Sequence, residues 1–330
     1  MTIHLPRHRS WTLKGKLTTT RVIAAAGSLC LLASACSSSS PAAATGGKTP
    51  SSSTGSSRTT SGVVASVRKL LPASVRSTNV LQDYVNIPYV PMEFYKPGTQ
   101  TPTGIDIEIA QALGRVLGVK IEFTNVSFPD LFTSLQAHRA QFVISGAYDA
   151  PARRGTFEYI DYFRTGTPLL TTKADASKYH ITSFKSLCGK AVATGVGTDY
   201  IAEIQALSKK YCGSPSSVTQ VLSNSNAQDY INLADGRVVA VFDEGLEAAA
   251  YFLAHQSGVP DSGQWEEVGP SYYPTDYGII LLKGSPLEPA LFAALQTIIN
   301  NGTYAKILAK WHVSDAALPR AELNQGPAIP

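Results

Sequence analysis

Cysteine is scarce in this chain of 330 residues, which contains only four. Cys30 and Cys36 lie near the N-terminus, which leaves Cys188 and Cys212 for the rest of the chain. A structural metal ion needs about four suitable ligands, and no cluster of histidine and cysteine supplies them. The histidines of the later chain are scattered, without a nucleophile motif beside them: His138, His180, His255 and His312. We therefore expect no metal, no cofactor and no catalytic site of a familiar hydrolase type.

A long apolar run is also absent. The apolar stretch 22–32 is far shorter than the ~20 residues that a helix needs to cross a bilayer. No acidic residue precedes Cys36, whereas five basic residues do: Arg7, Arg9, Lys14, Lys16 and Arg21. A basic start, a short apolar run and small residues before a cleavage point are typical of an export signal.

The end of this leader resembles the lipobox of bacterial lipoproteins, in which a cysteine becomes the lipidated first residue. The sequence there is Leu-Ala-Ser-Ala-Cys at 32–36, with Ala33 where the motif prefers leucine. We expect a lipoprotein signal peptide over 1–35, lipidation of Cys36, and an extracytoplasmic location with a lipid anchor in the cell membrane. An ordinary secretory signal is the alternative. Residues 36–73, rich in Ser, Thr, Gly and Ala, are predicted to be a flexible tether.

The mature chain has no basic excess. The whole sequence contains 28 basic and 24 acidic residues, and without the five basic residues of the leader the balance is 23 to 24. Nothing in this balance indicates nucleic acid as a partner. In an oxidising compartment, where disulfides persist, we expect Cys188 and Cys212 to bond, with a stabilisation on the order of 3 kcal/mol.

Apolar periodicity alternates between strand-like and helix-like segments after residue 74. Helical spacing over 106–117 ends at Gly118, and residues 119–123 then alternate as a strand. This alternation predicts an α/β fold with largely parallel sheets. The other predicted helices cover 128–137, 200–211, 244–255, 286–300 and 304–311, and the other predicted strands cover 142–144, 190–194 and 238–242.

Three segments follow predicted strands and carry polar or glycine residues. They are Gly195–Thr198, Ser145–Arg154 and Val241–Glu244. Because ligands of open α/β sheets bind beyond the carboxyl ends of the strands, Arg153 and Asp243 could grip a zwitterion from its two ends. The competing interpretation is that Arg153 forms a salt bridge and Asp243 caps the following helix.

These segments resemble family 3 of the extracellular solute-binding proteins, the group that binds polar amino acids. The resemblance covers residues 80–313 and is carried by Gly104–Ala110, Phe128–Gln136, Ser145–Arg154, Leu187–Lys190 with Cys212, Tyr277–Ile279 and Asn301–Trp311. It implies a two-lobed periplasmic-binding-protein-like fold of type II, with a ligand cleft between lobes joined by two hinge strands. Lobe 1 would comprise 74–166 and 270–316 and lobe 2 would comprise 167–269, with a C-terminal tail over 317–330.

The resemblance also implies roles for individual residues. Arg153 matches the arginine that holds the ligand carboxylate, Thr198 a threonine that assists it, and Asp243 the aspartate that takes the ammonium group. Further pocket positions are Gly146, Phe128, Tyr89, Asn86 and Tyr148. Asn86 stands where a related glutamine binder has aspartate, and Tyr148 replaces a small hydroxyl residue. These departures predict a less polar ligand side chain.

The implied function is binding of a free amino acid by its carboxylate and ammonium groups, as the extracytoplasmic component of an ABC importer. The implied partners are a permease of the cytoplasmic membrane and the membrane itself, with a monomeric protein and no enzymatic activity. One alternative is a dehydratase of prephenate or arogenate on the same fold, which would need a general acid or base in the cleft. The other is a sensor without its own permease.

Overall fold

The computed structural model describes residues 62–243 and 264–328. The predicted signal peptide, Cys36, most of the predicted tether and the helix expected over 244–255 lie outside the described residues. Within the described part of the chain, no helix has both the length and the apolar character that a membrane crossing requires.

The elements of the first lobe, up to the first strand that leaves it, follow in chain order. They are α1 (Ala65–Arg68), α2 (Ala73–Thr78), β1 (Val80–Val85), β2 (Phe94–Tyr95), β3 (Pro102–Thr103), α3 (Ile105–Leu117), β4 (Lys120–Asn125), α4 (Phe128–Gln136) and β5 (Phe157–Thr167).

The second lobe and the return to the first lobe complete the described chain. The second lobe contains β6 (Leu169–Thr172), α5 (Lys173–Tyr179), β7 (Ala191–Gly195), α6 (Tyr200–Tyr211), β8 (Thr219–Ser223), α7 (Asn226–Ala234), β9 (Ala240–Phe242) and β10 (Trp265–Glu267). The chain returns through β11 (Tyr272–Leu282), α8 (Glu288–Asn300), α9 (Thr303–Lys310) and β12 (Ala317–Leu323).

Helix α3 joins two parallel strands of the first lobe, β1 and β4. Asp106 and Glu108 lie in its first turn, where the partial positive charge of a helix N-terminus favours carboxylates. It ends at Gly118, whose φ of 68° suits a residue without a side chain. The helix is buried along most of its length, which explains why its apolar spacing is visible in the sequence.

Two long strands, β5 and β11, connect the lobes. Each has 11 residues, and they pair antiparallel from Thr167 with Tyr272 to Phe157 with Leu282. Strand β12 pairs with the other edge of β5. The expectation of largely parallel sheets is therefore wrong for this part of the molecule. Its pairs join residues more than a hundred positions apart, which local periodicity does not reveal.

The sheet of the second lobe has the strand order β10-β6-β9-β7-β8. Strand β7 is parallel to both β8 and β9, so these three strands end at the same edge, at Gly195, Ser223 and Phe242. In the first lobe, residues 142–144 form single bridges rather than the predicted strand, from Phe142 to Asp83 and from Val143 to Ile280.

The predicted disulfide is confirmed. Cys188 and Cys212 are joined by an S–S bond of 2.02 Å. Cys212 directly follows α6, and Cys188 lies shortly before β7. The bond therefore fixes the end of this helix to the start of the neighbouring strand.

The structure differs from the predicted boundaries at both ends of the folded part. Residues 65–68, assigned to the tether, form α1, and Val67 and Leu71 are buried. The Val64 N–H donates to the Val116 carbonyl at 2.9 Å. Residues 317–323, assigned to the tail, form β12. Both segments carry short apolar patterns that an adjacent surface of the first lobe completes.

Candidate functional site

A cavity of about 700 Å³ lies between the two lobes, within the range of about 300–1,000 Å³ that is usual for small-molecule sites. The first lobe lines it with Asn86, Tyr89, Ser127, Phe128, Pro129, Gly146 and Tyr148. The second lobe contributes Gly195, Val196, Thr198, Asp199, Tyr200, Ser223, Asn224, Ser225, Asn226 and Asp243. Seven of the eight predicted ligand residues are among them, and the exception is Arg153.

Aromatic rings form one wall of the cavity. The Tyr148 ring stacks on Tyr277, with centroids 5.5 Å apart, and meets Tyr200 edge-on at 5.4 Å. The Tyr148 hydroxyl is hydrogen-bonded to Thr167 Oγ1 at 2.8 Å, and Tyr89 is bonded to the Tyr277 hydroxyl at 2.6 Å. These contacts fix the rings, so the wall presents flat apolar faces in set positions.

Phe128 and Asn86 lie on the opposite side of the first-lobe rim. Phe128 begins α4 and packs edge-on against Phe132 at 5.6 Å, so it belongs both to the cavity wall and to a small apolar cluster. The Asn86 amide Nδ2 donates to the Val126 carbonyl at 2.9 Å. That bond fixes which way the Asn86 side chain can turn.

Gly146 lies where the backbone approaches the Tyr89 ring closely. Its φ is +42°, and a Cβ there would lie 2.1 Å from Tyr89 Cε1. Only glycine fits both constraints. The Gly146 N–H donates to Asp106 Oδ2 at 2.7 Å, so α3 holds this turn against the cavity from behind.

A fully buried acidic cluster supports the turn. It consists of Asp83, Glu93 and Asp106. The Ser145 hydroxyl donates to Glu93, and the Tyr162 hydroxyl donates to Asp106 Oδ1 at 2.7 Å. Burial raises the pKa of Asp106 to about 6. Burial, and then the nearby Asp106 carboxylate, raise the pKa of Glu93 well above its usual range, and the two carboxyl groups share a hydrogen bond.

Glu93→Gln should make the fold less sensitive to rising pH. A raised pKa means that the folded protein binds the proton more tightly than the unfolded chain. The stability contributed by Glu93 is thus full below its unfolded pKa of about 4.3 and is lost as the pH rises through its folded pKa. Glutamine has the shape of the protonated acid, accepts from Ser145 and donates to Asp106.

The measurement is urea denaturation at pH 5 and pH 8. We expect the stability of Glu93→Gln relative to the unsubstituted protein to be higher at pH 8 than at pH 5. Asp315→Asn, at an exposed carboxylate, serves as the control. An equal difference between variant and parent at both pH values would show that Glu93 is ionised in the fold.

The polar side of the cavity comes from β8, α7 and β9. Ser225 caps α7, with its hydroxyl accepting from the Gln228 N–H at 3.3 Å. Asn226, the first residue of that helix, donates from Nδ2 to Asp243 Oδ2, and Asp243 is only 2% exposed. The sequence analysis missed residues 223–226. Their signal was a cluster of serine and asparagine between a strand and a helix, which equally fits an ordinary turn.

The turn after β7 places a helix N-terminus at the cavity. Thr198 Oγ1 donates to the Gly195 carbonyl at 2.8 Å, and α6 begins at Tyr200. The φ of Gly197 is +75°, and a Cβ there would lie 2.9 Å from Pro129 of the other lobe. Backbone N–H groups and the helix dipole make this end of α6 suitable for an anionic group.

Arg153 lies at the edge of the cavity and is paired with a residue of the other lobe. Its Nη1 donates to Asp199 Oδ2 at 2.6 Å, and the two side chains are 20% and 19% exposed. The guanidinium carbon also lies 4.7 Å from the centroid of the Phe132 ring. The sequence analysis did not single out Asp199. It precedes α6 and reads as an ordinary cap residue.

The charge of the cavity wall is negative. Among the described residues that line it, Asp199 and Asp243 are acidic and none is lysine or arginine. The wall is also more polar than the sequence-based expectation of a less polar ligand suggested, because that expectation did not include residues 223–226. A neutral or cationic ligand end is therefore favoured inside, with Arg153 at the rim.

Comparisons with known proteins agree with this architecture. Residues 84–314 match the sequence model of the bacterial extracellular solute-binding proteins, family 3. The arginine-binding protein ArgT of Corynebacterium glutamicum is 26% identical over 268 residues, which cover 80% of this chain and 84% of ArgT. Curated relatives are named as binding proteins for amino acids rather than as enzymes.

Solved structures show the same two-lobed arrangement. An ancestral arginine-binding protein bound to arginine superposes with a TM-score of 0.62 at 26% identity, over 71% of this chain and 98% of that one. An ancestral amino-acid-binding protein, a precursor of cyclohexadienyl dehydratase, superposes with a TM-score of 0.58 at 25% identity, over 72% and 97% of the two chains.

Proposed function

The chain belongs to family 3 of the bacterial extracellular solute-binding proteins, and we propose that it binds a free, cationic amino acid for an ABC importer. The observation that carries this proposal is the cavity between the lobes, which has two carboxylates in its wall and an arginine at its rim. The printed names of its relatives, among them arginine-binding proteins, support the same ligand class.

The two charged ends of the ligand would meet opposite sides of the cleft. The ammonium group would bind Asp243, whose carboxylate is held by Asn226. The carboxylate would lie at the N-terminus of α6 beside Thr198 and accept from Arg153. A guanidinium has five N–H donors, so Arg153 can keep Asp199 and still grip the ligand. The ring of Phe128 and the tyrosine wall would cover the aliphatic part.

Binding would stabilise the closed arrangement of the lobes. A ligand shifts a conformational equilibrium only by its difference in affinity for the two states. A molecule that touches Asp243 in one lobe and Phe128 in the other has that difference, because opening the cleft breaks one set of contacts. Closure around the ligand is what a permease could distinguish from the empty protein.

Delivery to a membrane permease requires a protein kept near the membrane. The lipobox-like segment that ends at Cys36 supports an anchor of this kind. We therefore include lipidation of Cys36, a monomeric state and the importer partner in the proposal. Mass spectrometry of the membrane fraction tests the first of these, since a lipidated Cys36 would be the N-terminal residue.

A dehydratase on this fold is the alternative with a specific observation behind it, the dehydratase precursor among the matching structures. Such an enzyme needs a positioned proton donor or acceptor. The described candidates in the cleft are engaged, since Tyr148 is bonded to Thr167 and Asp199 to Arg153. Binding is thus the better reading, and incubation with prephenate and arogenate tests it directly.

The experiment is a thermal-shift survey of the ligand-free protein against the common amino acids. A ligand at a hundred times its dissociation constant adds about 2.7 kcal/mol to the stability of the folded state. We expect arginine or lysine to raise the melting temperature most. A larger shift with glutamate or aspartate would contradict the cationic ligand class, and turnover of prephenate would replace the proposal with the enzyme.

A further inference from the structure

The chain beyond the family match, which ends at residue 314, folds back onto the first crossing strand. Strand β12 pairs with β5, with Leu323 opposite Ile160 and Ala317 opposite Phe163. Leu318 and Ala321 are buried. We refer to residues 317–326 as the C-terminal strap.

The end of the strap continues along β5 after the strand itself stops. The Asn324 N–H donates to the Tyr159 carbonyl at 3.0 Å, and its Oδ1 accepts from the Tyr159 N–H at 2.9 Å. The Gln325 N–H then donates to Asp161 Oδ2 at 2.9 Å. Backbone groups supply most of these bonds, so they depend on the path of the strap rather than on its side chains.

Gly326 carries the strap onto a second element. Its N–H donates to Asp149 Oδ2 at 2.7 Å, and its carbonyl accepts from Arg154. Arg154 grips the same carboxylate, with Nε 2.8 Å from Oδ1 and Nη2 2.6 Å from Oδ2. A Cβ on Gly326 would lie 2.3 Å from the Asp149 carbonyl oxygen, so the contact requires glycine.

Asp149 lies in the middle of the segment that faces the ligand cavity. We refer to residues 145–154 as the ligand loop, because Gly146 and Tyr148 line the cavity and Arg153 lies at its rim. The Asp149 carboxylate is fully buried and its N–H donates to the Asp276 carbonyl at 3.0 Å. The strap and Arg154 therefore hold the loop on the side away from the ligand.

We propose that the C-terminal strap is a positioning element for ligand binding, which holds the ligand loop in its binding geometry through Gly326 and Asp149. Among the described residues, no member of the strap lines the cavity, so its effect passes through the loop. The effect on affinity rests on the proposed function, whereas the effect on the loop does not.

The test compares Gly326→Ala with Gln325→Ala in the full chain. The Gln325 side chain bonds only within the strap, to the Leu323 carbonyl at 2.8 Å, so its removal leaves the backbone contacts intact. In ligand-free protein, we expect amide hydrogen exchange across residues 146–154 to be about tenfold faster in Gly326→Ala. We also expect its dissociation constant for L-arginine to rise by about tenfold, and Gln325→Ala to change neither.

A global loss of stability must be separated from a local one. Ile298→Val, in buried α8 away from the loop, supplies a comparison with a small core defect. Unchanged exchange in folded Gly326→Ala, or an equal acceleration in Ile298→Val, would overturn the proposal. If Gly326→Ala does not fold, Asp149→Asn tests the same contact from the loop. If the parent protein does not bind arginine, the exchange result still decides the role of the strap, and the failure belongs to the proposed ligand.

Discussion

Asp243→Asn is expected to raise the dissociation constant for arginine by at least about 100-fold. Asp243 is 2% exposed at the end of β9, and the ligand ammonium would be buried against it. Removing one partner of a buried charge pair costs about 3–5 kcal/mol, and about 1.4 kcal/mol corresponds to a factor of ten in affinity. Asparagine keeps the size of the side chain, so the loss reports the charge. Isothermal titration of both proteins with L-arginine gives the numbers.

The control for this variant is Asp235→Asn in the same lobe. The Asp235 side chain is 51% exposed, so this substitution changes the net charge equally but lies outside the cavity lining. We expect its affinity to stay within a factor of two of the parent value. If Asp243→Asn bound arginine as well as Asp235→Asn does, the ammonium would not lie at Asp243 and the orientation of the ligand would have to be revised.

Arg153→Ala is expected to lower the affinity for arginine by about 100-fold. The substitution removes the proposed donor to the ligand carboxylate, and hydrogen bonds to charged groups contribute about 1.5–3 kcal/mol each. It also removes the ion pair with Asp199 that joins the two lobes at 2.6 Å. Both losses act in the same direction, because each makes the closed cleft less favourable.

Asp199→Asn separates these two roles of Arg153. It removes the charge of the partner but keeps the guanidinium at the rim. The ion pair is partly exposed, and such pairs contribute about 0.2–1 kcal/mol, so we expect a change in affinity of less than about tenfold. Equal losses in Arg153→Ala and Asp199→Asn would mean that Arg153 only joins the lobes and does not bind the ligand carboxylate.

The parts of the fold that the sequence predicted well are those with local causes. Helix α3 has a glycine stop and a buried apolar face, and α6 begins and ends at the predicted residues. The disulfide followed from two cysteines in an oxidising compartment. The antiparallel pairing of β5 with β11 and β12 was not predicted, because it depends on contacts between distant residues.

The candidate site divides along the same line. Asp243, Thr198 and Gly146 were singled out because each follows a predicted strand, and the structure brings them to one cavity. Asp199 and residues 223–226 carry no pattern that differs from a cap or a turn, so only their position beside the cavity indicates a role. The pairing of Arg153 with Asp199 crosses the cleft and depends on how the two lobes meet.

Isothermal titration of the ligand-free protein with L-arginine and L-citrulline tests the central claim most directly. Citrulline has nearly the same shape as arginine but carries no charge on its side chain. If the cleft binds a cationic amino acid, arginine binds at least about tenfold more tightly than citrulline, a difference of about 1.4 kcal/mol. Equal affinities would contradict the role of the negative cavity wall, and the absence of binding by either would contradict the proposed ligand class itself.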